Sequence, residues 1–503
     1  MSYAEQMARL SARKIEQTRV KQARMSRRDF LQRAMMLAGA GVCGPLWSVM
    51  KYDRDAVLDL FRLKAQATDA RVNAGIEENR KGWLTLLLKD DKGRPCETAR
   101  VKIRQTGHDF KYGANLFMLD EITDSAEKNE AYKEHFAAAF NLATLPFYWR
   151  DVEPEQGKPR YAKGSPRIYR RPPPDLCLEW CEAHAIEPKA HCLNYVAEFC
   201  TPPWAKGDVF REKQLLEKRF RELAARYAHR IPMWEVTNET LHWVKGRLNA
   251  SNFLAEPDLV EWSFKTAERY FASNKLVINE GGEYVWRDAS VLKGTRSAYY
   301  MQIENALLKG CRIDSVGIQS HLWGDVQKAM QSAEWYYDPQ HVFAYLDTYA
   351  RLGKPIQITE ITIPTYSDDP GDEALQAELL RNFYRIWFSH PAMEAIIYWN
   401  LPDGYAHAAK PGDFTKGENT YYGGLCRFDM TPKPAYNVLR DLFGREWRTN
   451  IDREVSGGRF SFRGFYGTYE IEVTSNGKTV KRDFHIRRNG LPTFEVRLDH
   501  PTA

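Results

Sequence analysis

Met233-Trp234-Glu235-Val236-Thr237-Asn238-Glu239 and Ile356-Gln357-Ile358-Thr359-Glu360 are two short apolar runs that each end in a carboxylate. Both carry β-branched residues and both precede a longer stretch with helical apolar spacing, so each reads as a strand feeding a helix. The same rhythm recurs on either side. Candidate strands are Phe110–Ala114, Phe140–Tyr148, Pro188–Leu193, Met233–Thr237, Lys275–Ile278, Ser315–Ile318, Pro355–Thr359 and Ala395–Trp399, with helices such as Glu212–Tyr227, Asp258–Ala272 and Glu373–Phe388 between them. Eight strand-then-helix units predict an α/β fold, a (β/α)8 TIM barrel over residues 110–447. Chemistry in such a barrel sits at the carboxyl ends of the strands. Glu239 after strand 4 and Glu360 after strand 7 then face one mouth.

The flanks read differently. Residues 51–109 predict a helix, with apolar spacing over Ala56–Leu63, followed by a small β-sandwich-like accessory unit. In that unit Trp83–Leu88 is a strand, Asp90-Asp91-Lys92-Gly93 a hairpin turn, and Ala99, Val101 and Ile103 alternate. Residues 452–500 alternate again around Ser475-Asn476-Gly477 and predict a small C-terminal β module that packs on the barrel. Residues 1–50 read as an export segment. Ser26-Arg27-Arg28-Asp29-Phe30-Leu31 resembles the twin-arginine signal, and the weakly apolar stretch Ala34–Met50 behind it is short for a membrane span. The expected location is periplasmic or secreted, with no stable membrane insertion.

The chain has 503 residues and a formal net charge of +6, which suggests nucleic acid until its distribution is read. Residues 1–33 hold nine Lys/Arg and three acids, so the rest of the chain is neutral and carries no basic footprint for nucleic acid. The eight cysteines form no CxxC pair and no Cys/His cluster with zinc spacing; they read as small buried hydrophobes. Aromatic residues make up 13% of the chain, enough for large cores and for a cleft that stacks on sugar rings.

Two carboxyl groups facing one another suit the hydrolysis of a glycosidic bond, one protonating the leaving oxygen and the other attacking or stabilising the anomeric carbon. Trp234 and Trp243 are candidate apolar walls near Glu239. The stretch from about 105 to 445 resembles glycoside hydrolase family 10, the retaining endo-β-1,4-xylanases. The segments that carry the resemblance are Trp234–Glu239, Ile358-Thr359-Glu360, Gly317-Ile318-Gln319-Ser320-His321, Tyr398-Trp399-Asn400, Glu153-Pro154-Glu155-Gln156-Gly157, Thr201-Pro202-Pro203-Trp204 and Thr431–Tyr436. The resemblance implies that Glu239 is the general acid/base and Glu360 the nucleophile. It implies that Asn238 bonds the sugar 2-OH, that His321 bonds the nucleophile with Gln319 nearby, and that Trp399 floors the site. No metal or organic cofactor is implied, and the partner is a polysaccharide or oligosaccharide met by a monomer.

Departures fall beside the scissile bond. Where the family ends strand 2 in Lys-Trp, this chain has Tyr148-Trp149. Where it ends strand 3 in Trp-His, this chain has Tyr195-Val196, after His191. Tyr148, Trp149, Tyr195 and His191 are therefore expected among the sugar contacts, with an altered preference for the sugar or its decoration. His108 and His191 read as structural at least as readily as substrate-facing. Arg150 reads as a surface ion pair, or else as a contact for an acidic decoration of the glycan, and Arg170-Arg171-Pro172-Pro173-Pro174 as a rigid loop on the active-site side, with a glycan contact as its alternative. Three readings fit: a xylanase, a related β-glycosidase on a different or decorated glycan, and a sugar-binding barrel without catalysis.

Overall fold

The computed structural model describes residues 54–242, 251–324, 326 and 333–498. The export segment 1–50 and Trp243 lie outside the described residues. Eight parallel strands close on themselves: β3 (Lys111–Asn115), β4 (Leu142–Pro146), β5 (Glu187–His191), β6 (Met233–Asn238), β7 (Lys275–Glu280), β8 (Ser315–Gln319), β9 (Ile356–Ile361) and β10 (Met393–Tyr398), with β10 pairing back onto β3. The eight strands expected from the sequence are these eight, and strands 4 and 7 are β6 and β9. Their near-continuous burial explains why they read as unbroken apolar runs: β6 and β9 are buried at every residue.

The surrounding helices show the complementary pattern. The helix Val209–Tyr227 starts where the Asp208 side chain accepts the Arg211 N–H, and it turns Leu216, Phe220, Leu223 and Tyr227 inward at three- and four-residue intervals. The helix Pro370–Ser389 starts on the Asp369 cap with Pro at its first position. Inside the barrel, Leu142, Met233, Val277 and Ile397 make a small apolar layer. The inward positions toward the carboxyl ends are polar instead: Lys189, His191, Glu235, Asn279 and Glu360 are all buried. Register shifts in β6 between Glu235 and Thr237 and in β9 between Ile358 and Glu360 re-aim those strand ends.

Both end segments form β structure, but they are not two separate units. β1 (Lys81–Lys89) pairs with β12 (Arg459–Phe465) and β15 (Thr493–Arg497). β2 (Thr98–Gln105) pairs with β11 (Asn450–Ser456) and β13 (Gly467–Ser475), which in turn pairs with β14 (Lys478–Ile486). Asp90–Gly93 does make the expected tight turn, with Lys89 and Pro95 bridged antiparallel across it, but the pairing stops there and β1 and β2 enter different sheets. The reason is the inward face of each strand. Leu84, Leu86 and Leu88 of β1 and Ala99, Val101 and Ile103 of β2 are buried against each other with Ile471 and Val473, across a sandwich rather than within one sheet. His108 sits in the seam to the barrel, its ring within 6.2 Å of those of Phe388, Phe443 and Phe465 and its Nε2 3.0 Å from the Trp447 carbonyl. Burial holds it neutral, with a pKa near 3, so His108 is structural.

The shared sandwich makes a prediction. Ile471→Ala in the C-terminal segment removes a fully buried side chain and costs about 2–5 kcal/mol. It should speed hydrogen exchange of the β1 amides, more than 370 residues earlier in the chain, as much as those of β13. Unchanged protection in β1 would mean that the two segments fold independently.

Candidate active site

Glu239 follows the last residue of β6 in a left-handed backbone conformation, φ 51°, its N–H held 3.1 Å from the Asn279 carbonyl. That conformation costs a non-glycine residue roughly 1–2 kcal/mol and turns the side chain out of the strand's alternation. Its carboxylate is clamped from two sides. Gln319 Nε2 donates to Oε1 at 3.0 Å, and the Tyr195 hydroxyl is bonded to Oε2 at 2.5 Å. Glu360, on β9, is 3% exposed. It accepts from Asn279 Nδ2 at 3.0 Å on Oε1 and faces His321 Nε2 at 3.1 Å on Oε2. The two carboxylates are joined by a relay of amides: Gln319 Nε2 also reaches Asn238 Oδ1 at 3.2 Å, and Asn279 Nδ2 reaches the same oxygen at 2.8 Å. Four strand ends, β6 to β9, thus fix two acids with respect to each other.

Beneath Glu360 lies a buried charge cluster. Lys189 and His191 Nδ1 both pair with the Glu235 carboxylate. Burial alone would raise the pKa of Glu235; the two cations outweigh it and hold the group down to about 2. In return Glu235 raises the pKa of His191 against the effect of burial, which favours its charged form below the site. Burial pushes Glu360 well above the ordinary carboxyl range, and the charges of Glu235 and Glu239 add to that, while His191 and the Asn279 amide act against it. His191, Glu235 and Glu360 place ligand-type atoms within 4.8 Å of one another. Glu235 already carries two cations, which disfavours a third positive charge there.

His321 is the neutral partner of Glu360. Burial lowers its pKa to about 4, and its Nδ1 lies 3.0 Å from the Thr362 hydroxyl. A neutral ring with Thr362 donating to Nδ1 presents Nε2–H to Glu360.

The structure brings Glu239, Glu360, Asn238, Gln319, His321, Tyr195 and Trp399 together. The Trp399 ring lies 5.7 Å from His191 and 5.8 Å from His321, across the floor between them. Tyr148 is buried, its ring 5.2 Å from His191 and 3.9 Å below the Arg171 guanidinium. Three expectations need correction. Trp149 turns away: its Nε1 donates to Glu153 at 3.1 Å and its ring packs on Trp204, so it anchors the Glu153–Gly157 segment. Trp234 is not a wall of the site. One residue out of phase with Glu235, it points into the helix layer against Phe147 and Phe271. His191 lies under the floor with Glu235 and not among exposed sugar contacts.

Sequence reasoning missed Glu235, Lys189, Asn279, Glu280 and Thr362. Glu280 ends β7, accepts from the Leu241 N–H at 2.8 Å and the Tyr284 hydroxyl at 3.0 Å, and so ties down the turn behind Glu239. Burial raises its pKa to about 8. The available signal was the polar pair Asn279-Glu280 closing an apolar run, the same pattern as Asn238-Glu239.

Because the pKa of Glu360 is raised on folding, its contribution to stability is fullest when it is protonated and falls as pH rises from the unfolded carboxyl value through the folded one. Glu360→Gln should therefore melt at a higher temperature than wild type at neutral pH, with the gap closing as pH falls to about 4. Equal melting temperatures at neutral pH would contradict the raised value.

Comparison with known proteins follows the same lines. The sequence model of glycosyl hydrolase family 10 matches residues 111–442, the whole barrel. Endo-1,4-beta-xylanase 2 of Arabidopsis thaliana is 26% identical over 452 residues, covering 88% of this chain and 37% of that protein. Anti-sigma-I factor RsgI6 of Acetivibrio thermocellus is 26% identical over 421 residues, covering 81% and 47%. The chain therefore spans about half or less of these longer relatives. Among solved structures, native xylanase 10B from Thermotoga maritima superposes with a TM-score of 0.51 at 21% identity, covering 67% of this chain and 96% of the other. Xylanase 10B from Thermotoga petrophila in complex with xylobiose gives 0.51 at 20%, covering 67% and 95%. These two likenesses establish the fold. With its barrel matched from β3 to the helix after β10, the chain belongs to glycosyl hydrolase family 10.

Proposed function

We propose that this protein is a retaining β-glycosidase of plant cell-wall polysaccharide with endo-1,4-β-xylanase activity. The observation that carries the reading is the amide relay from Glu239 through Gln319, Asn238 and Asn279 to Glu360. It holds one carboxyl group buried and one at the partly open rim, the asymmetry that two different roles require. In the first step the Glu360 carboxylate attacks the anomeric carbon while Glu239 protonates the departing oxygen. In the second, Glu239 takes a proton from water, which displaces Glu360 from the sugar.

Each neighbour has a task in that cycle. His321 and Asn279 donate to Glu360 and offset the burial of its charge. Asn238 spends its Oδ1 on two amides, which leaves its NH2 for a sugar hydroxyl. Tyr195 fits both states of Glu239, since a hydroxyl accepts from the protonated acid and donates to the carboxylate. The names of the xylanase relatives support xylan as substrate. Tyr148 and Val196, in place of a lysine and a histidine, support the second reading, a decorated or different glycan. The Ser26–Leu31 segment supports export by the twin-arginine route.

Glu360→Ala should abolish the release of reducing ends from xylan, and Glu239→Ala should lower it about 10²–10⁴-fold. Release from other plant polysaccharides but not from xylan or xylo-oligosaccharides would favour the second reading, and binding without any hydrolysis would overturn catalysis. Tyr195→Phe removes a charge-assisted bond to Glu239 and should lower kcat about 10- to 100-fold with little change in KM. A rise in KM at constant kcat would place Tyr195 on the sugar instead.

A further inference from the structure

A cavity of about 720 Å³ opens beside the candidate active site, between residues 168–171 and 407–416. Its wall toward the site is Phe199 and His407. The Phe199 ring lies 5.5 Å from that of Tyr195, which holds Glu239, and 5.4 Å from that of His407. The space is within the range that encloses a small organic ligand.

Its charge is one-sided. Arg150, Arg170, Arg171, Lys410 and Lys416 line it against Asp151 and Asp413, with the nearby Glu418 carboxylate acting on Arg170 and His407. Both acids are engaged: Asp151 pairs with Arg171 at 2.7 Å, and Asp413 accepts the Thr415 hydroxyl at 2.6 Å and its N–H at 3.0 Å. Arg150, Lys410 and Lys416 have no ion-pair partner among the described residues. Arg170 is only 3% exposed. Its Nη1 donates to Asn400 Oδ1 at 3.0 Å and to the Tyr405 carbonyl, yet its buried Nε has no hydrogen-bond partner, and neither does the buried Tyr169 hydroxyl on the same wall. A ligand that brings negative charge would answer the exposed cations Arg150, Lys410 and Lys416, which a neutral sugar ring with its mixed hydroxyls does poorly.

Position completes the case. Arg171, shared with the cavity, lies over Tyr148 at the end of barrel strand 2. We propose that this cavity is a subsite for the carboxylate of a uronic acid unit, so that the enzyme takes acidic, glucuronic-acid-bearing glycans on the side of the cleft lined by Tyr148 and Tyr195. This rests on the glycosidase reading above. A planar carboxylate matches the guanidinium forks, and the exposed lysines add long-range attraction that salt screens.

The test is titration calorimetry on the full-length Glu360→Gln variant with three probes: a neutral xylo-oligosaccharide, the same oligosaccharide carrying one glucuronic acid, and an oligogalacturonide. The acidic xylo-oligosaccharide should bind at least about tenfold tighter than the neutral one at low salt. Added salt should erode that advantage, Lys410→Glu with Lys416→Glu should abolish it, and Arg150→Ala should reduce it; all three positions are exposed. Equal affinity for the neutral and acidic forms would overturn the subsite while leaving the xylanase reading in place, as would a preference that survives both sets of substitutions. Lysine-dependent binding of the oligogalacturonide without binding of either xylo-oligosaccharide would keep the subsite and remove xylan as the substrate. Failure of both uronic acid probes to bind would overturn the subsite.

Discussion

A carboxylate buried in the mouth of a barrel tends to take up a proton, and the arrangement of this site follows from that tendency. Glu360 is almost fully buried and its pKa is pushed up. What opposes protonation is a set of groups that the chain supplies from distant segments: the Asn279 amide from β7, the His321 ring from the loop after β8, and His191 at the end of β5. Glu235 favours the charged form of His191, and Glu235 is itself kept ionised in the interior by Lys189. The ions therefore form a ladder, Lys189 to Glu235 to His191 to Glu360. Each rung is unfavourable alone and acceptable only with its neighbours. The ladder requires β5, β6 and β9 to be in fixed register, which a closed barrel enforces.

The rim shows how such a framework varies without losing its centre. At the ends of strands 2 and 3 the side chains are aromatic and aliphatic, and they are put to different uses. Tyr195 faces the acid Glu239, Tyr148 lies between His191 and the Arg171 guanidinium, and Val196 is buried. The amide relay does not involve these positions, and of the three only Tyr195 bonds a member of the carboxylate pair. The relay and the rim are thus built from largely different residues on neighbouring strand ends, with Tyr195 touching both, a division that lets barrels with one reaction centre differ in the sugars they take.

The barrel was legible in the sequence because strands buried on both faces leave unbroken apolar runs, and Glu239 and Glu360 stood out because each closes such a run. What the sequence hid is long-range pairing. Lys189 and Glu235 are charges inside strands, and nothing local shows that they meet 46 residues apart in the interior. Trp234 was misplaced by a single step of strand parity: Glu235 faces in, so its neighbour faces out. Asp90–Gly93 has turn chemistry, but β1 finds its partner in β12, where Leu86 sits opposite Phe460. Turn residues fix a change of direction, whereas the buried faces of Leu84, Leu86 and Leu88 decide which strand lies alongside.

The central claim is that Glu239 and Glu360 act in succession on one anomeric carbon, through a covalent glycosyl-enzyme. Following the first minutes of hydrolysis of a β-linked substrate by proton NMR tests it most directly, because the anomer released reports the number of displacements. The account predicts that the β-anomer appears first and the α-anomer only later, by mutarotation. Initial release of the α-anomer would show a single displacement by water and contradict the assignment of Glu360 as nucleophile.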